Sequence, residues 1–393
     1  MAGIPAGRIE APQRRLRLGM VGGGIGALIG KVHRAAARLD DQFEFVAGCL
    51  SSTPERCRYS GVALGLAPER SYPTIEAMIA GEQGRPDRVD AVSIVTPNHL
   101  HFEQASAFLE AGFDVICDKP LTSTLGDAKR LAQLVESTGR VFVLTHNYTG
   151  YPMTRQARAL VAEGALGPLR MVHVEYPQDW LATPLEREGV PQAEWRMDPE
   201  RAGPGGCSGD IGTHAINIAC FVTGLELDEI SAELTAFVPG RALDDNVNAL
   251  LRFRGGARGI LWASQIASGN ANGLRLRVYG ETAGLSWMHL EPNYLELTPV
   301  GGPPERLARG SGRAASPGAL RGTRLPDGCP EGFFEAFATI YSDAAELIRA
   351  KQEGRAPDPA AMLLPTVHDG VAGMSFVEAA VASSRRNGAW VKV

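Results

Sequence analysis

The stretch that most constrains what this chain can fold into covers residues 16–33, LRLGMVGGGIGALIGKVH. A short apolar run ends in Gly22, Gly23, Gly24 and Gly26, and small and aliphatic residues able to start a helix follow. That order predicts a strand, a tight turn and a helix. Gly22, Gly24 and Ala27 match the G-x-G-x-x-G/A dinucleotide fingerprint. In such a loop the first glycine permits the turn, the second lets backbone amides approach a pyrophosphate, and the small third residue lets helix pack closely on strand. Ile25 and Gly26 then fall where a helix N-terminus offers free N–H groups and a partial positive charge to phosphates. Glycine-rich turns also serve purely structural ends, and the placement between strand and helix is what favours a cofactor.

The next 120 residues alternate. Residues 43–50 (FEFVAGCL) have the β-branched and aromatic content of a second strand. Many NAD enzymes end that strand in Asp or Glu, which holds the ribose hydroxyls and repels a 2′-phosphate. Here Ser51, Ser52 and Thr53 follow instead, and Arg56 lies close enough in sequence to meet a phosphate. Alternatively Ser52 and Thr53 only cap the helix that starts at Pro54. NAD and NADP both stay open.

Helices over 73–80, 102–111 and 124–138 separate strands over 90–96, 113–117 and 141–145, which predicts a doubly wound parallel sheet. Ligands of such sheets lie beyond the carboxyl ends of the strands. Thr96, Pro97, Asn98, Asp118 and Lys119 all fall there. His101, just beyond Asn98, is a candidate cofactor contact, or, like His33, His99 and His146, a histidine that packs or supports the site from behind rather than a catalyst.

The pattern changes after about residue 150. Strands over 169–176, 229–237, 247–254, 259–264, 273–279 and 284–290 have few helices between them, so the second domain should carry a large, mostly antiparallel open sheet. The fold class expected is therefore α/β, a Rossmann domain over 15–150 and a substrate-binding and oligomerisation domain over 151–393, after an N-terminal tail at 1–14. One sheet face left for a partner predicts a homo-oligomer, dimer or tetramer. Residues 301–330, rich in Gly, Pro and Arg, suggest a long loop, partly mobile or laid over a neighbouring subunit. Helices over 333–353 and 369–387 and a strand over 390–393 finish the chain.

Composition narrows the partners. At 393 residues two domains are the natural expectation, and a net charge of −5 with no basic stripe suggests neither nucleic acid nor anionic membrane. No apolar run approaches the roughly 20 residues a spanning helix needs. The six cysteines have no C-x-x-C spacing, which argues against a zinc site or a disulfide framework and fits a reducing cytoplasm. Arg14-Arg15 raises a twin-arginine export signal, but the apolar segment after it is the glycine loop itself, so a cytoplasmic protein is expected.

Several residues could do chemistry. Lys119, between Asp118 and Pro120 at a buried strand end, can be tuned toward acid-base work, can hydrogen-bond a hydroxyl, or can be a surface lysine in a turn. In GGCSGDIGTHAINIA, residues 205–219, a glycine-rich loop enters a helix with Ser208 as candidate N-cap. Asp210 and His214 are four apart and should share a helix face. A carboxylate beside an imidazole can orient it, which suits removal of a hydroxyl proton while hydride leaves. The same pair could be a structural ion pair or a metal half-site, but no third ligand accompanies it, so no metal is expected. Tyr176, Gln178, Asp179, Trp180, Trp195 and Arg196 supply the polar and aromatic surface that sugars favour, or else a rim.

Taken together, GGGIGALIGKVH, TPNHLH, CDKPL, NYTGYP and GGCSGDIGTH stand in the order and spacing of the glucose-fructose oxidoreductase / inositol dehydrogenase (Gfo/Idh/MocA) family, which the chain resembles from about residue 15 onward. The resemblance implies bound NAD or NADP and oxidation or reduction of a sugar, polyol or glycoside hydroxyl. It also implies that Lys119, in Asp118-Lys119-Pro120 where the family has E-K-P, touches nicotinamide ribose and substrate. Asp210 and His214 match the family's substrate-binding acid and catalytic histidine. Alternatives are a tightly held cofactor cycling between two sugars, or a dinucleotide-binding sensor without turnover. Family resemblance does not name the substrate.

Overall fold

The structure, a computed structural model, describes residues 14–393, so the expected tail at 1–14 lies outside the described residues apart from Arg14. Arg14 pairs with the Asp90 carboxylate at 2.7 Å, and Arg15 with Asp41 at 2.7 Å, so the twin arginines are ion-paired.

β1 (Leu16–Gly22), α1 (Leu28–Leu39), β2 (Phe43–Cys49), α2 (Pro54–Ala63), α3 (Ile75–Gln83), β3 (Ala91–Val95), α4 (His101–Glu110), β4 (Asp114–Cys117), α5 (Leu125–Thr138) and β5 (Phe142–Leu144) form the first half. Their five strands are parallel in the order β2-β1-β3-β4-β5. β3, β4 and β5 are buried at every residue, as apolar strands covered on both faces must be. The order reverses at β1, and the glycine loop leaves from its carboxyl end, where open α/β sheets place their ligands. α3 starts at Ile75, later than the sequence suggests, because Thr74 caps it by accepting from the Ala77 N–H.

The second half contains α6 (Pro152–Ala162), β6 (Leu169–Pro177), α7 (Pro191–Arg196), α8 (Pro199–Ala202), α9 (Thr213–Thr223), β7 (Leu227–Thr235), β8 (Asn246–Phe253), β9 (Arg258–Ser264), β10 (Arg275–Gly280), β11 (Ala283–Met288), β12 (Tyr294–Pro299), β13 (Glu305–Ala308), α10 (Pro317–Gly322), α11 (Phe333–Glu353), α12 (Val367–Arg385) and β14 (Val391–Lys392). Nine strands make one sheet, β13-β12-β11-β10-β6-β9-β8-β7-β14, antiparallel except for β6 beside β9. Along β8 the buried residues Val247, Ala249, Leu251 and Phe253 alternate with the more open Asn248, Leu250 and Arg252, the two-residue period of a sheet with one covered face.

Two expectations change. Residues 301–330 are not one long loop: they include β13 and α10, and two of their arginines, Arg309 and Arg324, are anchors. Arg309, 3% exposed, pairs with Glu331 at 2.8 Å, and Arg324 pairs with Asp40 beyond α1 at 2.5 Å. These guanidiniums look like loop composition in sequence; one becomes a buried ion pair and the other a partly buried one only when acids from elsewhere in the chain arrive. The segment Pro359–Arg385 is long and apolar enough by composition to span a bilayer, contrary to the sequence reading. Here its main part, α12, packs against α5, α9 and β7 as a core helix.

Candidate active site

The glycine loop is shaped by close backbone approach. Gly22 and Gly23 have φ of +76° and +68°, and a Cβ on Gly22 would stand 2.8 Å from the Thr96 methyl. A Cβ on Gly24 would lie 2.6 Å from the Leu50 carbonyl, to which the Gly24 N–H donates at 3.1 Å. The close helix packing expected at Ala27 falls instead on Gly30, whose Cβ would lie 2.3 Å from the Gly23 carbonyl oxygen. Ala27 is the N-cap, because the loop is longer than the minimal fingerprint and α1 starts only at Leu28. Gly26 has φ +92° and nothing within 4 Å of a Cβ position, so open space lies on the loop's outer side, next to the unpaired N–H groups of the first turn of α1. That cradle fits a pyrophosphate.

Beyond β2, Ser51 is half-buried and Ser52, Thr53 and Arg56 are exposed. The capping alternative is not realised: Thr53 is the N-cap of α2 and its side chain makes no cap bond. Arg56 has no ion-pair partner among the described residues. Beyond β3, Thr96 donates to Gln104 at 2.6 Å and the Asn98 amide reaches the Ala202 carbonyl of α8 at 3.4 Å. Pro97 follows Thr96 at the same strand end.

His101 is corrected. It is fully buried, with Nδ1 2.9 Å from the Pro120 carbonyl and Nε2 2.8 Å from the Thr96 carbonyl. The start of α4 aims it inward, so it braces the β3 and β4 loops and has no face for a cofactor. Asp118 is likewise committed: it accepts from the Lys119 N–H at 3.0 Å and the Thr145 hydroxyl at 2.8 Å, with His33 at 3.8 Å. Burial works to raise its pKa, but His33, Lys119 and Thr145 outweigh that and hold it well below the carboxylate range.

Lys119, after β4, meets the second half of the chain directly. Its Nζ donates to the Asp210 carboxylate at 2.8 Å and to the Asp210 carbonyl at 2.7 Å. The other Asp210 oxygen accepts from Gln265 at 2.9 Å and Arg196 at 3.2 Å. Burial opposes the Asp210 charge, but Lys119 and Arg196 prevail and keep it ionised far below the usual value.

Asp210 sits in a π-helical turn, Ser208–Gly212, that runs into α9. The wider turn breaks the i,i+4 alignment expected on an α-helix, so the two side chains do not pair. His214 has its Nδ1 3.4 Å from Nδ1 of His146 instead. Ser208 is no N-cap either. Its N–H and hydroxyl donate to Asp244 at 2.7 and 3.2 Å, and the Gly206 N–H donates to the same carboxylate at 2.8 Å. Asp244 thus holds the turn in place.

His214 is 7% exposed, and burial first, then Lys119 and His146, push its pKa well below 6.5. Its ring stands edge-on to Tyr148 at 4.9 Å. Tyr176 is buried, not on the rim, and its hydroxyl meets that of Tyr148. Burial pushes the Tyr148 phenol up to about 12. Trp195 stands back from the centre, stacking on the Arg196 guanidinium at 4.1 Å, with Trp180 at 5.8 Å on that same group. Gln178 and Asp179 bond to Asn272 and Gly269. Sequence reasoning passed over Tyr148, Gln265 and Asp244, and took His146 for a packing or supporting histidine. Only the quoted NYTGYP stretch gave any signal, and that for Tyr148.

A parallel sheet with a glycine cradle at its reversal point, and a lysine at the carboxyl end of β4 facing an ionised aspartate beside a neutral histidine, define a nicotinamide-dependent oxidoreductase. Residues 16–146 match the oxidoreductase family with an NAD-binding Rossmann fold, and residues 154–286 match the GFO/IDH/MocA C-terminal domain. The chain belongs to the Gfo/Idh/MocA family. It is 34% identical over 391 residues to the uncharacterized oxidoreductase YfiI of Bacillus subtilis, covering 96% of each chain. The crystal structure of an oxidoreductase from Sinorhizobium meliloti shares 52% identity and a TM-score of 0.88, over 97% of this chain and 100% of that one. An inositol dehydrogenase homolog from Azotobacter vinelandii, complexed with NADH and myo-inositol, shares 38% identity and a TM-score of 0.89, over 97% and 98%.

Proposed function

We propose that this oxidoreductase acts on a ring hydroxyl of a polyol or sugar of the inositol kind, between Lys119 and His214. The observation that carries the reading is the Lys119–Asp210 contact at 2.8 Å beside a histidine held neutral by burial, just beyond the carboxyl ends of β4 and β5. The likeness to a homolog complexed with myo-inositol supports the substrate class.

A bound nicotinamide would take up the hydride from the substrate carbon. Gly22, Gly24 and Gly26 with the start of α1 hold the phosphates, and Ser51, Ser52 and Arg56 meet the adenosine ribose end, where the absence of an acid leaves NAD and NADP both acceptable. Asp210, kept ionised, accepts from one substrate hydroxyl. Lys119 donates to the oxygen that becomes the carbonyl, and neutral His214 takes that oxygen's proton. Trp180 and Arg196 shape the outer wall, with Trp195 fixing Arg196, and Tyr176 lines the inner side with Tyr148.

The open face of the nine-stranded sheet supports a homo-oligomer. Met171, Leu250, Ile260 and Tyr279 are each between 39% and 51% exposed, and the pairings Leu250↔Ile260 and Tyr279↔Met171 put them on one face. A panel of inositols, other polyols, sugars and glycosides with NAD and with NADP, followed at 340 nm, tests the reading. Turnover of an inositol or sugar is expected, and none across the panel would overturn it.

A further inference from the structure

His146 ends the loop after β5 and is 1% exposed. Its ring crosses that of His214 at 81° with centroids 5.2 Å apart, which brings the two Nδ1 atoms to 3.4 Å. The groups around the pair are Asp118 and Lys119 from the β4 loop, Asp210 from the π-helical turn, Tyr148 beyond β5 and Tyr176 on β6. None of their oxygens bonds to either imidazole among the described residues. The Asp210 carboxylate is taken by Lys119, Arg196 and Gln265, and the two tyrosine hydroxyls meet each other.

A neutral imidazole carries one N–H and one lone pair. Two Nδ1 atoms in contact therefore need one donor and one acceptor. Were His146 the donor, His214 would carry its proton on Nε2 and could not accept another there. Were His214 the donor, its Nε2 lone pair would be free for the substrate.

We infer that His146 is a positioning residue that accepts the His214 Nδ1–H and so fixes the tautomer whose bare Nε2 faces the substrate hydroxyl. This rests on the catalytic reading above. During oxidation the substrate O–H bond breaks, its proton goes to His214 Nε2, the carbon–oxygen double bond forms and hydride leaves the carbon for the nicotinamide. His146 stays neutral and accepts from the resulting imidazolium. It plays the orienting part that the sequence assigns to Asp210. Burial and Lys119 outweigh the opposing charge of Asp118 and leave the His146 pKa at about 3, which keeps its lone pair available.

The test has two arms. In the cofactor-bound protein, with 15N-labelled histidine and His214 assigned by loss of its signals in His214→Gln, the 15N shifts should show His214 protonated at Nδ1 and bare at Nε2. The reverse tautomer would overturn the inference whether or not a substrate has been found, so failure of the functional reading is seen separately. In the kinetic arm, His146→Phe, which fills the space without an acceptor, should lower kcat at least about 100-fold, the lower range for lost acid-base assistance. Cofactor affinity should hold and KM should change little. His146→Asn, whose amide oxygen can accept, should recover at least about ten-fold of that loss, since a wrong tautomer alone is worth up to about 10,000-fold in other enzymes. Near-parental kcat in His146→Phe, or equal damage from Phe and Asn, would overturn it.

Discussion

Lys119 and His214 carry the most exposed claims at the scale of single residues. Removing either group should lower turnover at least about 100-fold while cofactor still binds, the usual worth of acid-base assistance. Stopped-flow and steady-state rates of Lys119→Ala and His214→Ala check this, and near-parental turnover in either would reassign its role. The depressed His214 pKa has a definite sign for pH. The base is neutral above its folded pKa, so its protonation removes activity only well below 6.5. The kcat/KM for oxidation should therefore show no His214 limb over roughly pH 6 to 9, and a limb there that disappears in His214→Ala would contradict the burial that depresses it. Ser51 governs a different choice. A carboxylate at that strand end should accept ribose hydroxyls and repel a 2′-phosphate, so Ser51→Asp should shift the ratio of kcat/KM toward NAD. An unchanged ratio would mean that Ser51 does not face the ribose.

At the scale of elements, the site is held by short segments that cannot give way. Gly24 is pressed against the Leu50 carbonyl at the end of β2 and Gly30 against Gly23, so the loop and α1 are locked to the sheet. Gly24→Val should push the loop off β2 and abolish cofactor binding while the far-ultraviolet circular dichroism stays that of a folded chain. Titration with NADH fluorescence checks it, and parental affinity would remove the pyrophosphate from this loop. The π-helical turn makes the opposite point. Its wider winding turns Asp210 toward Lys119 and leaves His214 to His146, and Asp244 stabilises the turn through two backbone N–H groups and the Ser208 hydroxyl.

At the scale of the whole molecule, α11 joins the two sheets. Phe333 packs on His289 and Phe337, and Phe337 on His33, which lies 3.8 Å from Asp118. His289 in turn packs on Tyr148, the neighbour of His214, so a continuous column of rings runs between the cofactor side and the substrate side. The open sheet face is where a second copy should bind. Leu250 and Ile260 are direct cross-strand partners. The double variant Leu250→Lys, Ile260→Glu would keep a compatible cross-strand pair within one subunit but place charge in an apolar contact. Light scattering should then report a smaller particle, and an unchanged mass would move the interface elsewhere.

The glycine loop, the strand and helix alternation and the later run of strands were legible in the sequence because each depends on local periodicity or local backbone freedom. Lys119, Asp210 and His214 were legible as individuals for the same reason, as polar residues in short motifs at element ends. Their partners were not. Whether Asp210 faces His214 or Lys119 turns on one extra residue in a helical turn, and whether His101 meets a cofactor or two carbonyls turns on how β3, β4 and α4 close together. Arg309 and Arg324 are loop-like in sequence and structural in the fold because Glu331 and Asp40 reach them only after the chain has folded. Local conformation is set by neighbours within a few residues, which the sequence holds. The pairing of buried polar groups is set by contacts well beyond the local turn, such as His146 with His214, 68 residues apart, and there the requirement that buried donors and acceptors be satisfied decides the outcome.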